Sequence, residues 1–128
     1  MSAFIGHAAR GLAVLPPFAL LLAVVALTVF LSEVTSNTAQ VATMTPVLAA
    51  MAPALGLDPR MLVVACAIAA SSAYMMPVGT PPNAIVFGTG LVRMPQMVRA
   101  GIVLNIAGIL VISTLGWWLI PHIVTAQR

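Results

Sequence analysis

The sequence has 128 residues, of which 62% are hydrophobic and 5% are charged, and its formal net charge at pH 7 is +3. A water-soluble domain carries charge on about a quarter of its residues, so this composition excludes one and predicts an integral membrane protein. The positive charge comes from five arginines, nearly all at the ends of apolar segments. That placement is typical of membrane interfaces, and it gives no support to a nucleic-acid partner.

Apolar stretches between the charged residues have about the twenty residues that a helix needs to cross a bilayer. They predict an all-α membrane protein surrounded by a lipid bilayer. The first apolar run is too long for a signal peptide and ends in no clear cleavage site, so we expect it to remain in the mature protein. A single cysteine, Cys66, allows no disulfide within the chain.

The first helical unit contains a polar interruption. Proline at its first turn predicts a helix over Pro17–Leu31. The segment Ser32–Thr38 follows, and it is too polar to face lipid. Asn37 or Thr38 is then a good N-cap for a second helix, which turn residues end near Gly56. The sequence therefore predicts two helical arms joined by a polar tip.

Two interpretations of this unit remain open: a polar loop between two full spans, and a re-entrant hairpin whose tip lies inside the membrane. Short loops outside the membrane usually carry arginine or lysine, yet the only charge near the tip is Glu33. Arg10 and Arg60 lie instead at the far ends of the two arms. If these arginines mark one interface, the unit is a re-entrant hairpin whose tip lies inside the membrane.

A second interruption is predicted where prolines enter an apolar run. Residues 60–92 predict a helix that is broken at 77–83, because the prolines there lack amide donors and push the preceding residues toward extended geometry. An ordinary proline-rich turn is the alternative, although apolar residues without charge extend on both sides. Residues 97–120 are the plainest transmembrane helix, with Trp117 and Trp118 as an interfacial aromatic pair.

Unwound backbone at membrane depth persists only where it lines a cavity enclosed by protein. Carbonyl groups that end one half-helix can bind Na⁺, and N–H groups that open the next can bind an anion. The hydroxyls of Ser36, Thr38 and Thr80 can donate to anionic oxygens, and Asn37 offers both a donor and an acceptor. Glu33 has two interpretations: a proton relay or ion ligand, and a structural acceptor at the hairpin tip.

Two segments resemble a known family. The segment Ser32–Ala39, with the sequence SEVTSNTA, and the segment Met76–Phe87, with the sequence MPVGTPPNAIVF, closely resemble the divalent anion:sodium symporter family, which includes bacterial dicarboxylate, citrate and sulfate carriers. The opening of the final helix, Gly101–Asn105, also resembles the last span of that family. Family members are several times longer and contain two inverted repeats, so this chain resembles only the end of the second repeat.

The resemblance implies the C-terminal portion of a sodium-coupled secondary transporter of small divalent anions in a bacterial inner membrane. Within it, the resemblance implies a re-entrant hairpin over residues 12–57 with its tip at 35–38. It also implies a missing N-terminal transporter portion, which supplies a scaffold and the other half-site, and a homodimer in the full-length family. The implied anion-binding residues are Ser36, Asn37, Thr38, Thr80 and Pro81, and the implied sodium ligands are Ser32, Thr35, Asn37 and the backbone of Gly79. Ser32 and Thr35 stand where other members often carry Thr and Ala.

Two alternatives fit the same residues. A proton-coupled or arsenite-type ion transporter fragment would use Glu33 for its proton, whereas a small non-transporting membrane subunit would need no ion site. The sequence contains no catalytic triad, carboxylate pair, phosphate-binding loop or metal-binding motif. We therefore expect no enzyme activity, and no cofactor apart from sodium as the coupling ion.

Overall fold

The computed structural model describes residues 16–125, with side chains through residue 123. The predicted hairpin start at Leu12 and the arginines Arg10 and Arg128 lie outside this range. The described residues form five α-helices and a short 3₁₀ helix, with no strand among them, which confirms the predicted all-α membrane fold. These elements are α1 (Pro17–Ser32), α2 (Asn37–Met51), the 3₁₀ helix Ala52–Leu55, α3 (Pro59–Ala70), α4 (Pro81–Gly88) and α5 (Met94–Thr125).

Two of the non-helical segments between these helices form the candidate site. We call residues 33–36, between α1 and α2, the tip, and residues 71–80, between α3 and α4, the break. The helix was predicted to break at 77–83. It ends earlier, at Ala70, and Pro81 and Pro82 begin α4 instead of interrupting a helix. Proline is accepted at these first positions because no intrahelical N–H is needed there.

Capping side chains determine where α2 and α3 begin. Ser36 caps α2, since its hydroxyl accepts the N–H of Ala39 at 3.4 Å. The prediction of Asn37 or Thr38 as the cap was therefore wrong, because Asn37 is already the first helical residue and its side chain bonds to the break instead. Asp58 caps α3 by accepting an N–H of the first turn at 2.8 Å.

Helix α3 lies at the centre of the described structure and contacts α1, α2 and α5. Leu62 and Cys66 on α3 are fully buried, and so is Leu21 on α1 in the same apolar cluster. Between them, the small side chains of Ala65 and Ala69 are also buried. Small residues let helix backbones approach closely in a membrane, so the composition of α3 suits its central position.

Two helical stretches in the described range are long and apolar enough to cross a membrane, Asn37–Leu55 with 19 residues and Met94–Ile123 with 30 residues. Helix α1 has 16 residues and α3 has 12. At 1.5 Å per residue they extend about 24 Å and about 18 Å, which is less than the roughly 30 Å of a hydrocarbon core. Neither of these two helices therefore reaches across a bilayer by its own length.

We expect Leu62→Ala to lower the free energy of unfolding by about 2 to 5 kcal/mol, because truncation of this fully buried side chain leaves a cavity beside α3. Leu110→Ala is the matched control, since the Leu110 side chain is 51% exposed on α5, and it should have little effect. Thermal unfolding in detergent micelles, followed by circular dichroism, measures both. Equal unfolding midpoints would contradict the central role of α3.

Candidate functional site at the tip and the break

The carboxylate of Glu33 joins the tip to the break. It is 4% exposed, and its Oε1 accepts the backbone N–H groups of Tyr74 at 2.9 Å and Met75 at 3.0 Å. Its Oε2 accepts the N–H groups of Met75 at 3.1 Å and Met76 at 2.8 Å. The N–H groups of the unwound backbone therefore have the acceptors that a helix would have supplied, and the buried carboxylate has hydrogen-bond donors.

The final helix completes this network. Asn105 is 0% exposed; its Nδ2 donates to Glu33 Oε1 at 2.6 Å, and its Oδ1 accepts the N–H of Tyr74 at 3.1 Å. One turn earlier, a Cβ at Gly101 would overlap the carbonyl of Tyr74 and the Cα of Met75. Helix α5 can therefore approach the break this closely only because residue 101 has no side chain.

The side chain of Asn83 links two carbonyl groups of the break. Its Nδ2 donates to the carbonyls of Ala73 at 2.8 Å and Met76 at 3.0 Å. The carbonyl of Met76 also accepts the N–H of Gly79 at 3.1 Å. These hydrogen bonds to Met76 close a turn, and the carbonyl of Gly79 faces the start of α2.

Asn37 contacts that carbonyl directly. Its Nδ2 donates to the oxygen of Gly79 at 3.4 Å, while its Oδ1 is buried and has no hydrogen-bond partner among the described residues. Buried amide oxygens are normally satisfied, and an orphaned one needs an explanation. A buried, unpartnered amide oxygen on the side chain that contacts the carbonyl of Gly79 is the start of a site for a hard cation such as Na⁺.

The other predicted sodium ligands lie nearby in the chain without bonding to this pair. The hydroxyl of Ser32 donates to the carbonyl of Val29 at 2.8 Å. The hydroxyl of Thr35 lies 2.7 Å from the carbonyl of Leu31 and 3.0 Å from Oε1 of Gln40. Both hydroxyls donate their protons to acceptors on α1 or α2, so only their remaining lone pairs could ligate an ion.

The predicted anion-binding residues lie on two sides of the contact between Asn37 and Gly79. Asn37 and Thr38 line a depression of about 440 Å³ between α2 and α3. Thr80 and Pro81, with Gly79, line a second depression of about 440 Å³ at the start of α4. The structure thus brings Asn37 and Gly79 together, but it places the hydroxyls of Thr38 and Thr80 in separate depressions.

Three residues of this network were not assigned to the site from the sequence, namely Gly101, Asn105 and Asn83. The sequence could have indicated that Asn105 contacts another part of the protein, because an amide in the middle of an apolar transmembrane helix is expected to face protein. Neither its hydrogen-bond partner nor the close approach at Gly101 could be found from sequence spacing. Glu33 had a structural interpretation among its alternatives, and in the structure it acts as an acceptor in all of its hydrogen bonds.

We expect Glu33→Gln to loosen the break. The neutral amide would place an NH₂ group where one carboxylate oxygen now accepts backbone N–H groups, and two donors cannot form a hydrogen bond. Hydrogen bonds to a charged group contribute about 1.5 to 3 kcal/mol each, so amide exchange across residues 72–80 should rise at least about tenfold. Hydrogen–deuterium exchange with mass spectrometry measures this.

Asp58→Asn is the matched control for this experiment, because Asp58 is the other acidic residue of the sequence and Asn is an equally good N-cap. Exchange across the break should stay unchanged in this variant. Unaltered exchange in Glu33→Gln would contradict the assigned role of the carboxylate.

Comparison with known proteins identifies the family. A family model described as the sodium:sulfate symporter transmembrane region matches residues 2–124. The sodium-dependent dicarboxylate transporter SdcS of Staphylococcus saprophyticus is 42% identical over 107 residues, which cover 84% of this chain and 21% of that protein. Solute carrier family 13 member 2 of Oryctolagus cuniculus is 42% identical over 122 residues, 94% of this chain and 21% of that protein.

An uncharacterized transporter of Haemophilus influenzae is 46% identical over 100 residues, 77% of this chain and 22% of that protein. The chain thus spans about a fifth of the length of these relatives. The resemblance stated from the two motifs is confirmed: this integral membrane chain belongs to the divalent anion:sodium symporter family.

Proposed function

We propose that this chain forms half of the sodium and anion site of a sodium-coupled transporter of small divalent anions. The observation that carries the proposal is the contact between Asn37 and Gly79, where the start of α2 meets the break and a buried amide oxygen has no partner among the described residues. Dicarboxylates are the first candidate substrates, ahead of citrate and sulfate. SdcS, a relative at 42% identity, is a sodium-dependent dicarboxylate transporter.

In this proposal Na⁺ binds to the Oδ1 of Asn37 and the carbonyl of Gly79, with the hydroxyls of Ser32 and Thr35 as further ligands. The charge of Glu33 favours a cation here, since its Oε2 lies 3.1 Å from the position that a Cβ of Gly79 would occupy. Unwound backbone carbonyls are a recurring source of Na⁺ ligands in secondary transporters.

Sodium coupling is favoured over proton coupling by the contacts of Glu33. The carboxylate already holds three backbone N–H groups and the amide of Asn105, and it acts as the acceptor in each of these bonds. A proton relay needs an acceptor to which the protonated group can pass its proton. Among the described residues, the hydrogen bonds of Glu33 offer only donors.

The anion would bind across the start of two helices. At α2, the first N–H groups have no intrahelical acceptor and carry the positive end of the helix dipole, and the hydroxyls of Ser36 and Thr38 lie beside them. At α4, Pro81 and Pro82 supply no N–H, so the hydroxyl of Thr80 would add a donor to the few backbone N–H groups that remain there. Because Asn37 serves both ions, sodium binding would order the surface on which the anion docks.

The membrane arrangement that fits this site is a re-entrant hairpin over residues 12–57, followed by a broken helix over 60–92 and a final transmembrane helix. The short reach of α1 and α3 supports placing the tip and the break near the middle of the bilayer. Transport would follow from displacement of this half against a scaffold supplied by the N-terminal portion of the transporter. By analogy with the family, the assembly is a homodimer in a bacterial inner membrane.

Asn37→Ala should weaken sodium binding at least about tenfold, which corresponds to about 1.4 kcal/mol, because it removes the unpartnered oxygen from the site. Binding of radiolabelled Na⁺ to the purified chain in lipid nanodiscs measures the half-saturation. Asn37→Asp keeps an oxygen at the same position and should retain binding.

Thr114→Val is the matched control, because the hydroxyl of Thr114 bonds only within its own helix. A wild-type chain that binds no sodium, or an Asn37→Ala variant that binds it normally, would overturn the proposal. Unchanged behaviour in Asn37→Ala and Thr80→Ala together would favour the alternative of a small membrane subunit without an ion site.

The chain by itself should not transport. It covers about a fifth of its relatives, and the proposed site needs a second half and a scaffold. In liposomes that contain only this chain, a sodium gradient should drive no more uptake of labelled succinate than empty liposomes show. Uptake that follows the sodium gradient would contradict this, and uptake that follows a proton gradient would favour the proton-coupled alternative.

A further inference from the structure

The final helix α5 touches the break at two successive turns, and no step of the proposed transport uses these contacts. Asn105 bonds both to Glu33 and to the N–H of Tyr74. Gly101 lies one turn earlier on the same face of the helix, directly against the backbone of residues 74 and 75. A helix that served only as a membrane anchor would require neither a buried amide nor a missing side chain at these positions.

From Asn105, a chain of hydrogen bonds leads to the proposed sodium ligands. Glu33 receives the bond from Asn105 at 2.6 Å and holds the N–H of Met76 at 2.8 Å. The carbonyl of Met76 accepts the N–H of Gly79 at 3.1 Å. The carbonyl of Gly79, finally, accepts the amide of Asn37 at 3.4 Å. Each link is a direct contact, so a shift of Asn105 or Glu33 displaces the oxygen of Gly79.

We propose that Asn105 and Gly101 are positioning residues of the sodium site, through which the final helix holds the carbonyl of Gly79 beside Asn37. The inference rests on the proposed function, because it needs sodium to bind at that contact. Neither residue touches the ion. Asn105 fixes the orientation of Glu33, because it donates the shortest of the hydrogen bonds that Glu33 accepts. Gly101 sets how closely α5 approaches the break. Ligands misplaced by about an ångström bind an ion poorly.

The first test replaces Asn105 by an apolar residue of similar volume. Asn105→Leu should raise the half-saturation for radiolabelled Na⁺ in nanodiscs about tenfold, since Glu33 loses a charge-assisted hydrogen bond. Ser113→Ala is the matched control: Ser113 is equally buried on the same helix, and its hydroxyl has no partner among the described residues. Its sodium affinity should not change. If Asn105→Leu does not fold, Asn105→Ala, which adds no bulk, carries the same expectation.

The second test uses two glycines of the same helix. Gly101→Ala should weaken sodium binding about tenfold, because the added methyl group pushes α5 away from the break. A Cβ at Gly108 meets nothing within 4 Å, so Gly108→Ala should leave the half-saturation unchanged. The two substitutions make the same change in helix propensity, and only their contact with the break differs.

A double-mutant cycle separates positioning from general stability. If Asn105 acts through Glu33, combining Asn105→Leu with Glu33→Gln should weaken sodium binding no further than Glu33→Gln does alone. Additive losses would overturn the proposed route through Glu33. Normal sodium affinity in Asn105→Leu and Gly101→Ala, beside a wild type that binds sodium, would overturn this inference alone. A wild type that binds no sodium would overturn the proposed function and this inference with it.

Discussion

The carboxylate of Glu33 accepts backbone N–H groups from three consecutive residues of the break, which lie 41 to 43 positions away in the sequence. In hydrocarbon, each of those N–H groups would cost several kcal/mol if it were unpaired. A buried carboxylate without donors would cost more. Neither partner is stable in a buried position without the other, so the tip and the break can be buried only as a pair. The chain between them consists of α2, the 3₁₀ helix and α3, and this pairing holds it at both ends.

The same pairing explains why the proposed site is a contact between segments and not a pocket within one of them. Asn37 opens α2, and Gly79 lies near the end of the break. They meet because Glu33, in the tip, is bonded to Met76, which lies one turn before Gly79. A ligand that binds at such a contact stabilises the arrangement of both segments. Coupled transport requires such stabilisation, because an ion that orders both segments also orders the surface on which the other solute binds.

The local features of this fold were predictable, and the long-range ones were only partly so. Hydropathy and proline placement predicted the helices, the final span and the two interruptions, since these depend on neighbouring residues. The start of the break was not predicted. After Ala70, the N–H groups of residues 71 and 72 still bond to α3 in a final turn, and those of residues 74–76 bond to Glu33, which lies about forty positions away and so cannot be found from neighbouring residues. The residue types of Ser36, Asn37 and Thr80 indicated ion chemistry. The contribution of Asn105 and Gly101 depends on where α5 packs, which periodicity does not determine.

The two prolines that open α4 have a consequence for the proposed anion site when no anion is bound. Most helix starts present several N–H groups that need a partner, so a site built on them is left unsatisfied whenever its ligand departs. Pro81 and Pro82 remove two of these donors. The backbone N–H of Asn83 and the hydroxyl of Thr80 remain as donors, and a hydroxyl can rotate to another acceptor when no anion is bound. An anion at such a helix start would be bound less firmly but released at lower cost, and the transport proposed for this chain would depend on release as much as on binding.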